Sequence, residues 1–127
     1  MSRALVIEDN PDNMKLITFL LAAEGYAFLC AATGRHGLEL ALAERPDFVL
    51  LDIQLPDMDG TEVLRALRQD PWGRCVPIIA ITSYAMSGDR QRLLAAGCAG
   101  YLEKPIDPDH AVGEIRAILE GSRPCAS

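Results

Sequence analysis

Residues 47–60 read "DFVLLDIQLPDMDG". Four apolar residues, Phe48 to Leu51, run without interruption into Asp52, and a loop containing Pro56, Asp57, Asp59 and Gly60 follows. A strand with one wet face alternates polar and apolar side chains, whereas an unbroken apolar run belongs to a strand covered on both faces. Such strands belong to parallel sheets sandwiched between helices. This one ends on a carboxylate. An unpaired buried charge is costly, so Asp52 either has a cation beside it or is there to react.

Runs of the same kind recur on either side: "ALVI" at 4–7, "AFLCA" at 27–31, "PIIAI" at 77–81 and "GYL" at 100–102. Segments of helical period separate them. The first helix starts at Asn10-Pro11-Asp12 and stops at Gly25; the second spans about 34–43. The third spans 61–69 before Asp70-Pro71, the fourth about 87–96 before Gly97, and the fifth about 109–120 before Gly121. Strict strand–helix alternation predicts one α/β domain, a five-stranded parallel sheet wound on both faces.

The 127 residues fit a single domain, and at 50% hydrophobic they can fill a core on both sides of a sheet. A net charge of −6 speaks against a general nucleic-acid or anionic-membrane surface. No apolar run approaches the ~20 residues that span a bilayer. The opening "MSRALVIEDN" meets acid at once and is no signal peptide, which makes the cytoplasm the expected location. Cys30, Cys75, Cys98 and Cys125 form no CxxC pair, and Cys30 and Cys98 read as small core residues in a reducing compartment. His36 and His110 stand apart from one another and are assigned no chemistry.

In open parallel sheets the ligand crevice lies beyond the carboxyl ends of the strands. Strand one ends at Glu8-Asp9, strand three at Asp52 and strand four at Thr82-Ser83, while Glu103-Lys104-Pro105 follows strand five. Acids so gathered repel one another unless a cation is present, and an oxygen-rich pocket of two or three carboxylates suits Mg²⁺. On that crowding, replacing Asp52 by Asn is expected to stabilise the metal-free fold by ~1 kcal/mol. A phosphoryl group gives each residue a role. Asp52 is the nucleophile; Glu8, Asp9, Asp52 and the Gln54 backbone carbonyl hold the metal; Lys104 and Thr82 bind phosphoryl oxygens.

The set "IEDN" at 7–10, "LLDIQLPDMDG" at 50–60, "AITS" at 80–83 and "EKPI" at 103–106 closely resembles the CheY-like receiver domain of bacterial response regulators. "NMKL" at 13–16, "DIQLP" at 52–56 and "AMSGDRQRLLAAGCAGYLEKPI" at 86–106 look most like its single-domain DivK type. The resemblance implies a flavodoxin-like (βα)5 fold with strand order 2-1-3-4-5, a receiver over residues 1–121 and a short tail at 122–127. It implies phosphotransfer from a histidine kinase or histidine phosphotransfer protein to Asp52 with Mg²⁺, in two-component phosphorelay signalling. A cis Lys104–Pro105 bond is implied too. The chain would catalyse its own phosphorylation and dephosphorylation and turn over no external substrate. Output would pass to a protein target through the face of helix four, strand five and helix five, with no direct DNA binding.

Other readings stay open. The chain could be the excised receiver of a larger signalling protein or a pseudo-receiver that no longer phosphorylates. An aspartyl-phosphate phosphatase would need a second acid two residues after the nucleophile, where Gln54 stands. The family also implies a switch in which Thr82 moves toward the phosphoryl group and Tyr101 fills the vacated space. Tyr84 and Gln54 are placed to tune dephosphorylation. On helix one, Ile17, Leu20 and Leu21 form the core arc with Leu16 at its flank, which leaves Phe19 exposed. Leu16 and Phe19 are therefore assigned to docking the phosphodonor. Asp57 and Asp59 are expected to shape the turn before Gly60, and Asn10 or Asp12 to cap helix one.

Overall fold

The computed structural model describes residues 2–83 and 87–121; Tyr84, Cys125 and the 122–127 tail lie outside them. Five strands alternate with five helices: β1 Arg3–Ile7, α1 Pro11–Ala23, β2 Ala27–Ala31, α2 Gly34–Glu44, β3 Phe48–Asp52, α3 Gly60–Leu67, β4 Ile78–Thr82, α4 Ser87–Ala95, β5 Gly100–Glu103 and α5 Ala111–Gly121. All strand pairings are parallel, in the order β2-β1-β3-β4-β5. The expected flavodoxin-like α/β architecture is the one observed.

The central strand explains the two-layer core. Within β3, Val49 and Leu51 join the cluster under α2, α3 and α4, while Phe48 and Leu50 join the one under α1 and α5. Each of these four is at most 1% exposed. Full burial of such a side chain is worth about 1.5–3 kcal/mol, so β3 binds both layers at once. Leu51→Ala would open a cavity on one face, at about 2–5 kcal/mol.

Helix ends follow local chemistry. Asn10 caps α1, its side chain accepting from the amides of Asp12 at 2.9 Å and Asn13 at 3.0 Å. Gly25 and Gly97, just after α1 and α4, take the positive φ angles of 83° and 108° that end those helices. After α2, which lacks a glycine at that point, Arg45 adopts φ 47° instead.

The cysteine expectation needs correction. Cys98 is buried, but Cys30 is exposed, because β2 is an edge strand whose alternate positions, Phe28 and Cys30, extend past its helical cover. Both are free thiols, whereas Cys75 is disulfide-bonded.

The register sets the site. Ile7 pairs with Leu51, so the next residues, Glu8 and Asp52, stand side by side. Asp52 pairs with Ile81 and Thr82 with Glu103, one residue before Lys104. Backbone bonds from Ile53 to Ile81 (3.1 Å) and from Lys104 to Thr82 (2.8 Å) carry the ladders past the strand ends. The tips of β1, β3, β4 and β5 are thereby held level.

Candidate functional site

The structure brings three acids and one ammonium together at that edge. Oxygens of Glu8, Asp9 and Asp52 lie within 4.8 Å of one another. Glu8 and Asp52 are each 1% exposed, whereas Asp9 faces solvent. Lys104 donates to Asp52 Oδ2 at 3.0 Å and stands 3.2 Å from Glu8 Oε1. The Lys104–Pro105 peptide is cis. The Gln54 amide donates to Asp52 Oδ1 at 2.9 Å and the Asn10 amide to Glu8 Oε2 at 3.2 Å.

These contacts leave one oxygen over. Glu8 Oε1 is fully buried and has no aligned hydrogen-bond donor, despite the nearby ammonium. A buried carboxylate oxygen whose neighbour is an ammonium, with no aligned hydrogen bond to fill it, is the kind of atom that a metal cation can also satisfy. With Asp9 and Asp52 beside it, the donor set is all oxygen, and it fits Mg²⁺.

The electrostatics divide the acids unequally. Burial, then the hydrogen bond to Asp52, pushes the Glu8 carboxyl up from 4.5 to about 7. Burial also opposes ionisation of Asp52, but hydrogen bonds from Glu8, the Gln54 amide and Lys104 together hold it below its ordinary value. For Lys104, burial is outweighed by Asp52 and Glu8, which raise it. Without metal, then, Asp52 is the acid that ionises first and Glu8 the one that keeps a proton to higher pH. Crowding alone made each acid resist ionising and did not say which would hold the proton longer. The contacts separate them, because Lys104 and the Gln54 amide both donate to Asp52.

The other expected residues fall at several distances from this centre. Thr82 ends β4 and is 4% exposed. Tyr101 pairs with Ala80, two residues before Thr82, so Tyr101 and Thr82 share a sheet face, and Tyr101 is half-buried there. Phe19 is 69% exposed on α1, while Leu16 is half-buried against the α1–α5 cluster. Beside Glu8 and Asp9 opens a cavity of about 390 Å³, lined also by Met14, Cys30 and His36. Cys30 and His36 had been given no place near the site; the pairing of Val6 with Cys30 brings β2 there, and no local sequence signal announces it. Asp59 caps its own helix, accepting from the Thr61 amide at 2.9 Å. Asp57 reaches back instead to α2, accepting from the amides of Gly34 at 2.8 Å and Arg35 at 3.0 Å.

Comparison with known proteins agrees with this geometry. The family model described as "Response regulator receiver domain" matches residues 4–116. The polar-differentiation response regulator DivK of Brucella anthropi is 41% identical over 115 residues, which cover 91% of this chain and 94% of that protein. Among solved structures, a chemotaxis response regulator of Vibrio cholerae superposes with a TM-score of 0.89 at 27% identity, covering 93% of this chain and 98% of that one. The receiver domain of a Pseudomonas aeruginosa PAO1 sensor histidine kinase, solved with a magnesium ion coordinated in its active-site cleft, gives 0.83 at 37% identity, covering 95% and 96%. The order of the strands, the acids gathered at their tips and these likenesses lead to one conclusion: the chain belongs to the response regulator receiver domain family.

Proposed function

We propose that this chain is a phosphorylation-controlled signalling protein that accepts a phosphoryl group on Asp52. The observation that carries the reading is the pairing of the buried Asp52 carboxyl with Lys104 at 3.0 Å, which favours its ionised form, next to a buried Glu8 and an exposed Asp9. An ionised carboxylate is a nucleophile, and one fixed by Lys104 and the Gln54 amide is already oriented. An Asp52 oxygen attacks phosphorus as the bond from phosphorus to the donor's histidine nitrogen breaks. The bonding pair stays with that nitrogen, and an acyl phosphate forms. Lys104 and Thr82 then bind phosphoryl oxygens.

Glu8, Asp9, Asp52 and the Gln54 carbonyl would hold Mg²⁺, which when bound supplies positive charge against the gathered acids and the phosphoryl oxygens. Later hydrolysis of the acyl phosphate resets the protein, so the chain modifies itself and turns over no outside substrate.

The donor in this reading is a histidine kinase or histidine phosphotransfer protein in the cytoplasm, docking at Phe19 and Leu16. Output passes to a protein target through the α4–β5–α5 face, where Leu94, Tyr101 and Ile118 line a cavity of about 430 Å³. Tyr101, on the sheet face of Thr82, would couple the two ends of that path. Acetyl phosphate with Mg²⁺ should add one phosphoryl group by intact mass, EDTA should prevent the addition, and D52N should abolish it. A wild-type chain that gains no mass rejects the proposal and leaves a pseudo-receiver.

A further inference from the structure

The loop 53–59 is held at its base and at its tip. At the base, Gln54 and Asp59 form an antiparallel bridge, and the Gly60 amide donates to the Ile53 carbonyl at 2.8 Å. At the tip, Asp57 crosses 23 residues of sequence to accept from two amides of α2, one per carboxylate oxygen. Those amides are the first two of the helix; Thr33 takes the third, from His36, at 3.1 Å. The helix's own cap thus takes one donor of the first turn and the loop takes two. Close packing reinforces it, because a Cβ at Gly34 would collide with the Met58 side chain. The α2 N-terminus and the loop thus approach closely at Gly34 and Met58.

We propose that Asp57 is a positioning residue for the phosphorylation site: by docking the 53–59 loop on α2 it fixes the Gln54 carbonyl at the metal position, and metal affinity therefore depends on the Asp57–α2 contact. The inference rests on the metal-assisted reading of the site given above. Gln54 lies only three residues from Asp57, and its amide already binds Asp52, so a shift at the tip reaches the carbonyl through one short, Pro56-containing segment. The Gly34 and Arg35 amides also hold the Asp57 carboxyl below its ordinary value, so it is ionised when it caps the helix. Because Asp57 is exposed, its removal opens no core, and the Arg35 amide that it leaves lies on the exposed side. The fold should survive the loss while the loop relaxes.

The test uses the full chain and Mg²⁺ alone as the probe, titrated by amide chemical shifts or calorimetry. Asp57→Ala should raise the Mg²⁺ Kd by about tenfold, the scale typical of groups that orient a metal ligand from behind. Asp57→Asn, which keeps one oxygen acceptor, should fall between. Thr33→Ala serves as the structural comparison: it removes the other α2 cap and lowers thermal stability, but should leave Mg²⁺ affinity within about twofold of wild type. With acetyl phosphate, D57A should phosphorylate slowly at low Mg²⁺ and recover when Mg²⁺ saturates. Normal Mg²⁺ binding by D57A, or equal weakening by T33A, overturns the inference and leaves the phosphoacceptor reading intact. A wild-type chain that binds no Mg²⁺ overturns both.

Discussion

Replacing Glu8 by Gln should make the metal-free protein more stable. The folded state raises the Glu8 carboxyl from 4.5 to about 7, mainly by burying it. At about 1.4 kcal/mol per pH unit, a rise of roughly 2.5 units puts the full penalty for ionised Glu8 near 3 kcal/mol. Gln places a neutral amide in the same space and can still donate to Asp52, so the expected gain is about 1–3 kcal/mol above pH 7.5. For a chain of this length that is roughly 4 °C of Tm per kcal/mol. The pH dependence carries the test. Between 4.5 and 7 the folded chain holds a proton on Glu8 that the unfolded chain has lost, so wild-type stability falls as pH rises through that window and levels off above it. E8Q lacks this component. Thermal unfolding of both proteins in EDTA from pH 4 to 8.5 should give a stability gap that is smallest below 4.5 and widens to a plateau above 7. Saturating Mg²⁺ at pH 8 should narrow it by pairing with ionised Glu8. A gap that is constant with pH, or that shrinks as pH rises, refutes the reasoning.

Three further outcomes follow from the same contacts. Lys104→Met leaves Asp52 charged and buried without its cation, which should cost about 2–4 kcal/mol by urea unfolding in EDTA. Mg²⁺ affinity should weaken as pH falls below 7, by roughly tenfold per unit, since Glu8 must surrender its proton to bind; calorimetry at pH 6 and 8 measures this. Phe19→Ala should stay within about 0.5 kcal/mol of wild-type stability, because the ring is exposed. It should slow transfer from a phosphorylated histidine donor while leaving the rate with acetyl phosphate unchanged, and equal rates from the donor would remove Phe19 from the docking surface.

What could be seen in the chain beforehand, and what could not, divides along physical lines. A run such as Phe48–Leu51 is visible because burial on both faces abolishes alternation, and Asp52 stands out because it breaks that run. Gly25 and Gly97 mark helix ends through their backbone freedom. Arg45 ends α2 with the same left-handed geometry and leaves no trace, since any residue can be forced there when packing favours it. Cys30 looked buried because "AFLCA" is apolar throughout; only the order of strands makes β2 an edge. Asp57 looked like a turn residue because its two partners are 22 and 23 residues away. Residue types at the strand tips could name the members of the site, but the proton's location depends on which acid the ammonium and the amides face.

That last point bears on why the site is built as it is. If Glu8 and Asp52 shared Lys104 equally, neither would be reliably ionised at neutral pH, and the nucleophile would be half protonated. The observed asymmetry avoids this. Asp52 receives the Lys104 hydrogen bond and the Gln54 amide, while burial raises Glu8 to about 7 and its Oε1 has the Lys104 ammonium at 3.2 Å without an aligned hydrogen bond. Asp52→Asn should therefore stabilise the metal-free fold less than Glu8→Gln does, because burial, the largest cause of the Glu8 shift, remains in D52N and the Lys104–Asp52 bond is lost. Parallel melts of the two variants in EDTA at pH 8 decide the matter. If D52N proves the more stable, mutual repulsion rather than the burial of Glu8 governs this pocket, and the division of labour between the two acids is wrong.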